Sequence, residues 1–228
     1  MSWPSILKRL LAVCVFTVFS ASTVESFTCV NSMCANGIWI TTPGVCETSQ
    51  GCFNLVQEFK DPVSSVSLTI QQKGCLTAAC THLTFSATLD SQRTIRSDQR
   101  CCQAEQCNKQ DLQLSQPSSQ INGVQCPACY IENAATCDSV PLKCTGAETK
   151  CIEFSGKDSE MPTLSFYGKG CATETACNLN MNMFGNMKIQ TSCTDGTPPS
   201  TSISTATTGS PPLTLISSVL TILLKVLL

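Results

Sequence analysis

The chain has 228 residues, with 18 Cys, a single His, 13% charged residues and a formal net charge of -2. One His leaves little room for histidine catalysis or a multi-His metal centre, and this charge balance leaves no basic footprint for nucleic acid. So many cysteines do not suit a reducing cytosol; they point to an oxidising compartment and to small stapled units rather than one large core.

The N-terminus reads as an export signal. Lys8 and Arg9 precede the apolar run Leu10 to Phe19, and small residues follow it. Val24-Glu25-Ser26 fits a cleavage triplet, with Ala21 and Ser22 as rival sites, so residues 1–26 are expected to be removed. The run is well short of the roughly 20 apolar residues a bilayer span needs. Cys14 leaves with the signal, so an odd number of cysteines remains.

The remaining cysteines fall into two clusters. Cys29, Cys34, Cys46, Cys52, Cys75, Cys80, Cys101, Cys102 and Cys107 form the first; Cys126, Cys129, Cys137, Cys144, Cys151, Cys171, Cys177 and Cys193 form the second. Residues 110–123 between them are polar and free of Cys, a linker composition. Lys73-Gly74-Cys75 followed by Cys80 matches Lys169-Gly170-Cys171 followed by Cys177. Two copies of one disulfide module is the simplest account, with residues 27–109 as the first and 124–195 as the second. Units of that size hold only a small core, and disulfides of about 2–4 kcal/mol each supply the rest.

Between the cysteines the pattern is that of hairpins. Val66, Leu68 and Ile70 form a return strand after Lys60-Asp61-Pro62, and Leu83, Phe85, Ala87 and Leu89 alternate before Asp90-Ser91-Gln92. Leu179 to Ser192 alternates on both sides of Phe184-Gly185-Asn186, and its methionines read as the packed face of a strand, not a copper site. No stretch of the mature chain sustains a helical apolar period.

The C-terminus carries a second apolar run, Leu213 to Leu228, after a Ser/Thr/Pro/Gly-rich stretch. Small residues, a polar spacer and a terminal apolar tail are the layout of a GPI-attachment signal. Ser204-Thr205-Ala206 fits the attachment triplet, making Ser204 the candidate lipidation site, with Ser200, Ser202 and Gly209 as rivals. Residues 196–204 then form a stalk open to O-glycosylation, and 205–228 are removed. A spanning tail is disfavoured by Lys225, whose burial in hydrocarbon costs about 2.5–3.5 kcal/mol. There is no Asn-x-Ser/Thr acceptor.

Cys101-Cys102-Gln-Ala-Glu-Gln-Cys107-Asn108 ends the first module, and Cys126-Pro-Ala-Cys129 opens the second. A CC-x4-CN ending and a C-x2-C opening in a disulfide ladder resemble the urokinase-receptor/lymphocyte-antigen-6 family. The layout is most similar to its two-domain, GPI-anchored members. The resemblance implies an all-β, disulfide-rich protein of two tandem three-finger domains. It also implies the pairing. In the first module this is Cys29–Cys52, Cys46–Cys75, Cys80–Cys101 and Cys102–Cys107. In the second it is Cys126–Cys151, Cys129–Cys137, Cys144–Cys171 and Cys177–Cys193. Two departures follow. The first module lacks the C-x2-C opening, which leaves Cys34 as a candidate free thiol or intermolecular bridge. The second lacks the CC-x4-CN ending, so Ile189 to Thr194 is expected to open easily.

Binding in this family usually uses finger tips. Trp39 lies mid-finger, near the expected turn Thr42-Pro43-Gly44, and is the candidate ligand contact, with packing against the sheet as the plainer alternative. Arg93, Arg96 and Arg100 bring three charges to one strand of the third finger and read first as a solvated face. Phe166-Tyr167 is expected in the core. Neither His82 nor the carboxylates Glu153 and Asp158 lie in a catalytic motif, and there is no phosphate loop or HExxH. No catalytic residue, metal or cofactor is expected. The expected role is recognition of an extracellular protein ligand, with membrane contact through the GPI lipid only and no nucleic acid. The alternative is a soluble inhibitor similar to the family's two-domain phospholipase A2 inhibitors. The oligomeric state is left open.

Overall fold

The computed structural model describes residues 26–62, 67–90, 92–160 and 165–198. The signal, the stalk end with Ser204 and the apolar tail lie outside them. Among the described residues twelve strands make six antiparallel hairpins, and the only helical element is a short 3-10 turn at Glu174–Ala176. Among the described residues no helix is long and apolar enough to cross a membrane.

The first module pairs β1 (Phe27–Ala35) with β2 (Ile38–Thr48), β3 (Cys52–Lys60) with β4 (Leu68–Cys75), and β5 (Leu83–Thr88) with β6 (Thr94–Cys102). The second pairs β7 (Ile121–Glu132) with β8 (Val140–Thr145), β9 (Lys150–Asp158) with β10 (Ser165–Ala172), and β11 (Asn180–Met183) with β12 (Met187–Asp195). These are two tandem three-finger domains. β7 begins at Ile121, inside the stretch read as linker.

Eight disulfides hold the bases of the fingers. The first module has Cys29–Cys52, Cys46–Cys75, Cys80–Cys101 and Cys102–Cys107. The second has Cys126–Cys151, Cys129–Cys137, Cys144–Cys171 and Cys177–Cys193. Cys34 is buried and unbonded. The Cys-Asn ending has a physical role here. The Asn108 amide, fully buried, accepts from Val30 N at 2.9 Å and donates to Val30 O at 2.8 Å and Phe53 O at 3.0 Å. One side chain thereby ties the first finger to the second.

The second module has no such Cys-Asn ending, yet its last strand is paired to its end. β12 pairs with β9 along its whole length, as far as Asp195 opposite Lys150. Beyond it, Gln125 N donates to Thr197 O at 2.9 Å and Thr197 N to Gln125 O at 3.2 Å. Backbone pairing thus stands where the missing disulfide loop would be.

The two modules share one sheet and one core. Along β10, Phe166 to Lys169 pair with β7; at Cys171 and Ala172 the partner becomes Thr88 and Ala87 of β5. The sheet therefore runs on from one module into the other. Behind it, Phe85, Ala87, Leu89 and Ile95 of the first module pack with Ile152, Phe154, Ala172, Met183 and Ile189 of the second. A small module cannot bury its apolar strand faces by itself, so each covers the other's. Burying a side chain such as Phe154 or Ile189 is worth about 1.5–3 kcal/mol. Phe166 belongs to this packing, its ring lying over Gly156, where a Cβ would come within 2.2 Å of it. Tyr167 does not: it is half-buried on the opposite face, contrary to expectation.

Candidate ligand-contact surface

The first finger is built on a two-residue turn. β1 and β2 join through Asn36-Gly37, with Ala35 opposite Ile38. Both turn residues have positive φ, 49° and 80°, the combination a two-residue hairpin needs and Asn-Gly adopts readily. Asn36 also anchors the tip. Its N–H donates to Thr69 O at 2.8 Å, and its side-chain oxygen accepts from Thr69 N at 2.7 Å. The finger is thereby clipped to β4, which also pairs with β1.

The turn is not at Thr42-Pro43-Gly44, as the sequence suggested. That tripeptide lies within β2, where the register slips between Asn31 opposite Gly44 and Met33 opposite Thr41. Pro43 sits in this bulge on a sheet-edge strand, where a missing N–H breaks no ladder.

β2 is exposed along nearly all its length. Ile38 is 73% exposed, Trp39 58%, Ile40 57% and Val45 63%. Trp39 stands opposite Cys34 and neither joins the core between the modules. Trp39 thus lies outside the core between the modules, with more than half of its surface open to solvent. From Phe27 to Cys46 the chain has no Asp, Glu, Lys or Arg, and the first charge on β2 is Glu47 near its base. Ile38, Trp39, Ile40 and Val45 thus form an exposed apolar patch on a sheet-edge strand.

The third-finger arginines are differently placed. Arg93 bonds Asp90 at 2.7 Å and Asp61 at 3.1 Å and lies 4.5 Å from the centre of the Tyr130 ring. Burial in this contact, and Glu132 beside it, push the Tyr130 hydroxyl above its ordinary pKa. Arg96 pairs with Glu58 and donates to Ser115 O at 2.7 Å, and Arg100 meets Asp98 at 3.1 Å. All three are neutralised within the fold, and Arg93 helps join the modules.

His82 is exposed just before β5, and Glu153 pairs with Lys169 at 2.7 Å. The sulfurs of Cys126, Cys144 and Cys171 converge within 4.8 Å, but all three are in disulfides and are not thiolate ligands. Sequence reading singled out Trp39 and missed its apolar neighbours Ile38, Ile40 and Val45. The Asn-Gly dipeptide and the uncharged run were the signals that mark them.

No protein-family model matches the chain. Protein RoBo-1 of Rattus norvegicus is 43% identical over 201 residues, which cover 87% of this chain and 83% of that protein. Phospholipase A2 inhibitor NAI of Notechis ater is 28% identical over 204 residues, 85% of this chain and 99% of the inhibitor. The crystal structure of mouse TEX101 overlays with a TM-score of 0.35 at 15% identity, covering 76% of this chain and 99% of that one.

Proposed function

The chain belongs to the urokinase-receptor/lymphocyte-antigen-6 family, and we propose that it is an extracellular binding and adhesion protein that takes a protein ligand on its first finger. The observation that carries this is the exposed, uncharged edge formed by Ile38, Trp39, Ile40 and Val45. Trp is over-represented among residues that dominate binding energy, and an open strand edge adds backbone donors and acceptors for a partner. The role is recognition without chemistry or cofactor. The same proposal places the protein on the outer face of the plasma membrane, held by a GPI lipid at Ser204. The small-residue triplet, the spacer and the apolar tail support this.

The test uses cells displaying the full chain with a tag after residue 27. Phosphatidylinositol-specific phospholipase C is expected to release the tag. Adhesion of these cells to a cell layer is expected to fall when Trp39→Ala is displayed at equal density. A hot-spot loss of about 2 kcal/mol corresponds to roughly thirtyfold in affinity. Adhesion unchanged by both Trp39→Ala and Ile38→Ser/Ile40→Ser would refute the assignment of the first finger. A soluble inhibitor is the second reading, favoured by the similarity to Phospholipase A2 inhibitor NAI over 99% of that protein. Stoichiometric inhibition of a phospholipase A2 by the released protein is the outcome it requires.

A further inference from the structure

A second surface lies on the opposite module. The outward face of β9, β10 and β12 forms a grid of side chains. Ser165, Lys157 and Lys188 stand in one cross-strand row, and Tyr167, Ser155 and Gln190 in the next. Asn133, Ala134 and Ala135 border the grid, and together they line an open concavity of about 680 Å³. That lies within the usual range for a small-ligand site.

Lys157 and Lys188 are directly opposed on neighbouring strands and both are exposed. Like charges in that position are destabilising. A carboxylate relieves such a lysine two rows along the same face, where Lys169 meets Glu153 at 2.7 Å. Among the described residues no carboxylate lies within 4.0 Å of either Lys157 or Lys188. Two nearby acidic residues are engaged elsewhere. Asp158 accepts from Glu160 N at 2.8 Å, and Glu160 accepts from the Asn186 amide at 2.7 Å. The pair therefore sets two adjacent ammonium groups, neither in an ion pair, on one face of a protein whose net charge is negative.

We propose that this concavity is a binding site for an acidic glycan, a sugar chain bearing sulfate groups, with Lys157 and Lys188 holding the anion. The groups around the lysines suit sugar hydroxyls: Ser155, Ser165, Asn133 and Gln190 offer hydroxyls and amides, and Tyr167 a ring. An acidic peptide is the poorer fit. β9 lies between β10 and β12, and β10 between β9 and β7 along this stretch. Their ladder groups are used within the sheet, so a peptide finds no open edge to extend. The site is independent of the first finger, on the other module and of opposite chemistry.

The experiment applies detergent-solubilised full-length protein to immobilised heparin, with polyglutamate and unsulfated dextran as comparison surfaces. The parent protein is expected to bind heparin at physiological salt and to bind the other two at least tenfold less. Lys157→Gln/Lys188→Gln is expected to lose at least tenfold in heparin affinity. Lys60→Gln/Lys143→Gln, an equal charge change at two other exposed lysines, is expected to keep it. A heparin oligosaccharide should also raise the melting temperature of the parent and leave the 157/188 variant unchanged, which separates lost binding from lost folding. The proposal is overturned by no heparin binding in the parent, by equal losses in the two double variants, or by polyglutamate binding as tight as heparin. The last result would make the surface an acidic-peptide site.

Discussion

The two modules contain the same Lys-Gly-Cys tripeptide, and the structure predicts that its two glycines are not equivalent. At Gly170 an added Cβ would lie 1.8 Å from Thr88 O and 2.8 Å from Leu89 Cα, both backbone atoms of the other module. At Gly74 it would lie 2.9 Å from Phe53 Cε1 and 3.2 Å from Cζ, atoms at the end of a ring that can swing. Gly170→Ala must therefore push β10 away from β5, where only Cys171–Thr88 and Ala172–Ala87 are paired. Overpacking costs about 1–3 kcal/mol, and each weakened backbone bond about 0.5–1.5 kcal/mol, giving roughly 2–5 kcal/mol in total. For a protein of this size that is a fall of about 4–20 °C in melting temperature. Gly74→Ala should cost no more than about 1.5 kcal/mol. Scanning calorimetry of the oxidised proteins measures both, and hydrogen exchange should show Ala87 to Leu89 losing protection only in Gly170→Ala. If the two variants melt within about 1 °C of each other, the strand junction does not hold the modules together as described.

Two further outcomes follow from buried groups. Cys34 is 8% exposed and unbonded, so iodoacetamide should leave it unlabelled in the folded protein. In denaturant without reductant it should add one label. Rapid labelling of the folded protein, or none after unfolding, contradicts the structure. Glu148 is buried between the modules, where Oε1 accepts from the Ser86 hydroxyl at 2.7 Å and Oε2 makes no hydrogen bond. Burial raises its pKa above the ordinary 4.5, and the Ser86 and Thr88 hydroxyls only partly offset this. The folded state then holds a proton that the unfolded chain has released. Its stabilising contribution is full below the ordinary carboxylate value and is lost as pH rises through the raised one. Glu148→Gln should therefore shrink the fall in melting temperature between pH 4.5 and pH 7; an unchanged fall would show that the carboxylate is already ionised at the low end.

Much of the local architecture was readable in the chain. The alternation of Leu83, Phe85, Ala87 and Leu89 gives three buried residues on one strand face, and Leu179 to Ser192 forms the hairpin around Phe184-Gly185-Asn186. These follow from neighbouring residues, because period-two burial and positive-φ turns are local properties. The first finger was misread for a related reason. Two turn signals compete there, Asn36-Gly37 and Thr42-Pro43-Gly44, and only the register against β1 and β4 decides between them. With the turn at the first, Trp39 moves from mid-finger to beside the tip.

Alone, the sequence determined the small stapled units, their duplication, their strands and the residue types available for binding. Tertiary structure alone decided which faces are spent. The core between the modules joins Phe85 to Phe154, residues far apart in the chain, so no window of sequence contains both. Packing within the first module likewise decides that Arg93 and Arg96 are neutralised, by Asp61, Asp90 and Glu58, while Lys157 and Lys188 face water. Which residues remain free to bind depends on what the fold has already covered, and covering is a property of packed surfaces rather than of neighbours along the chain.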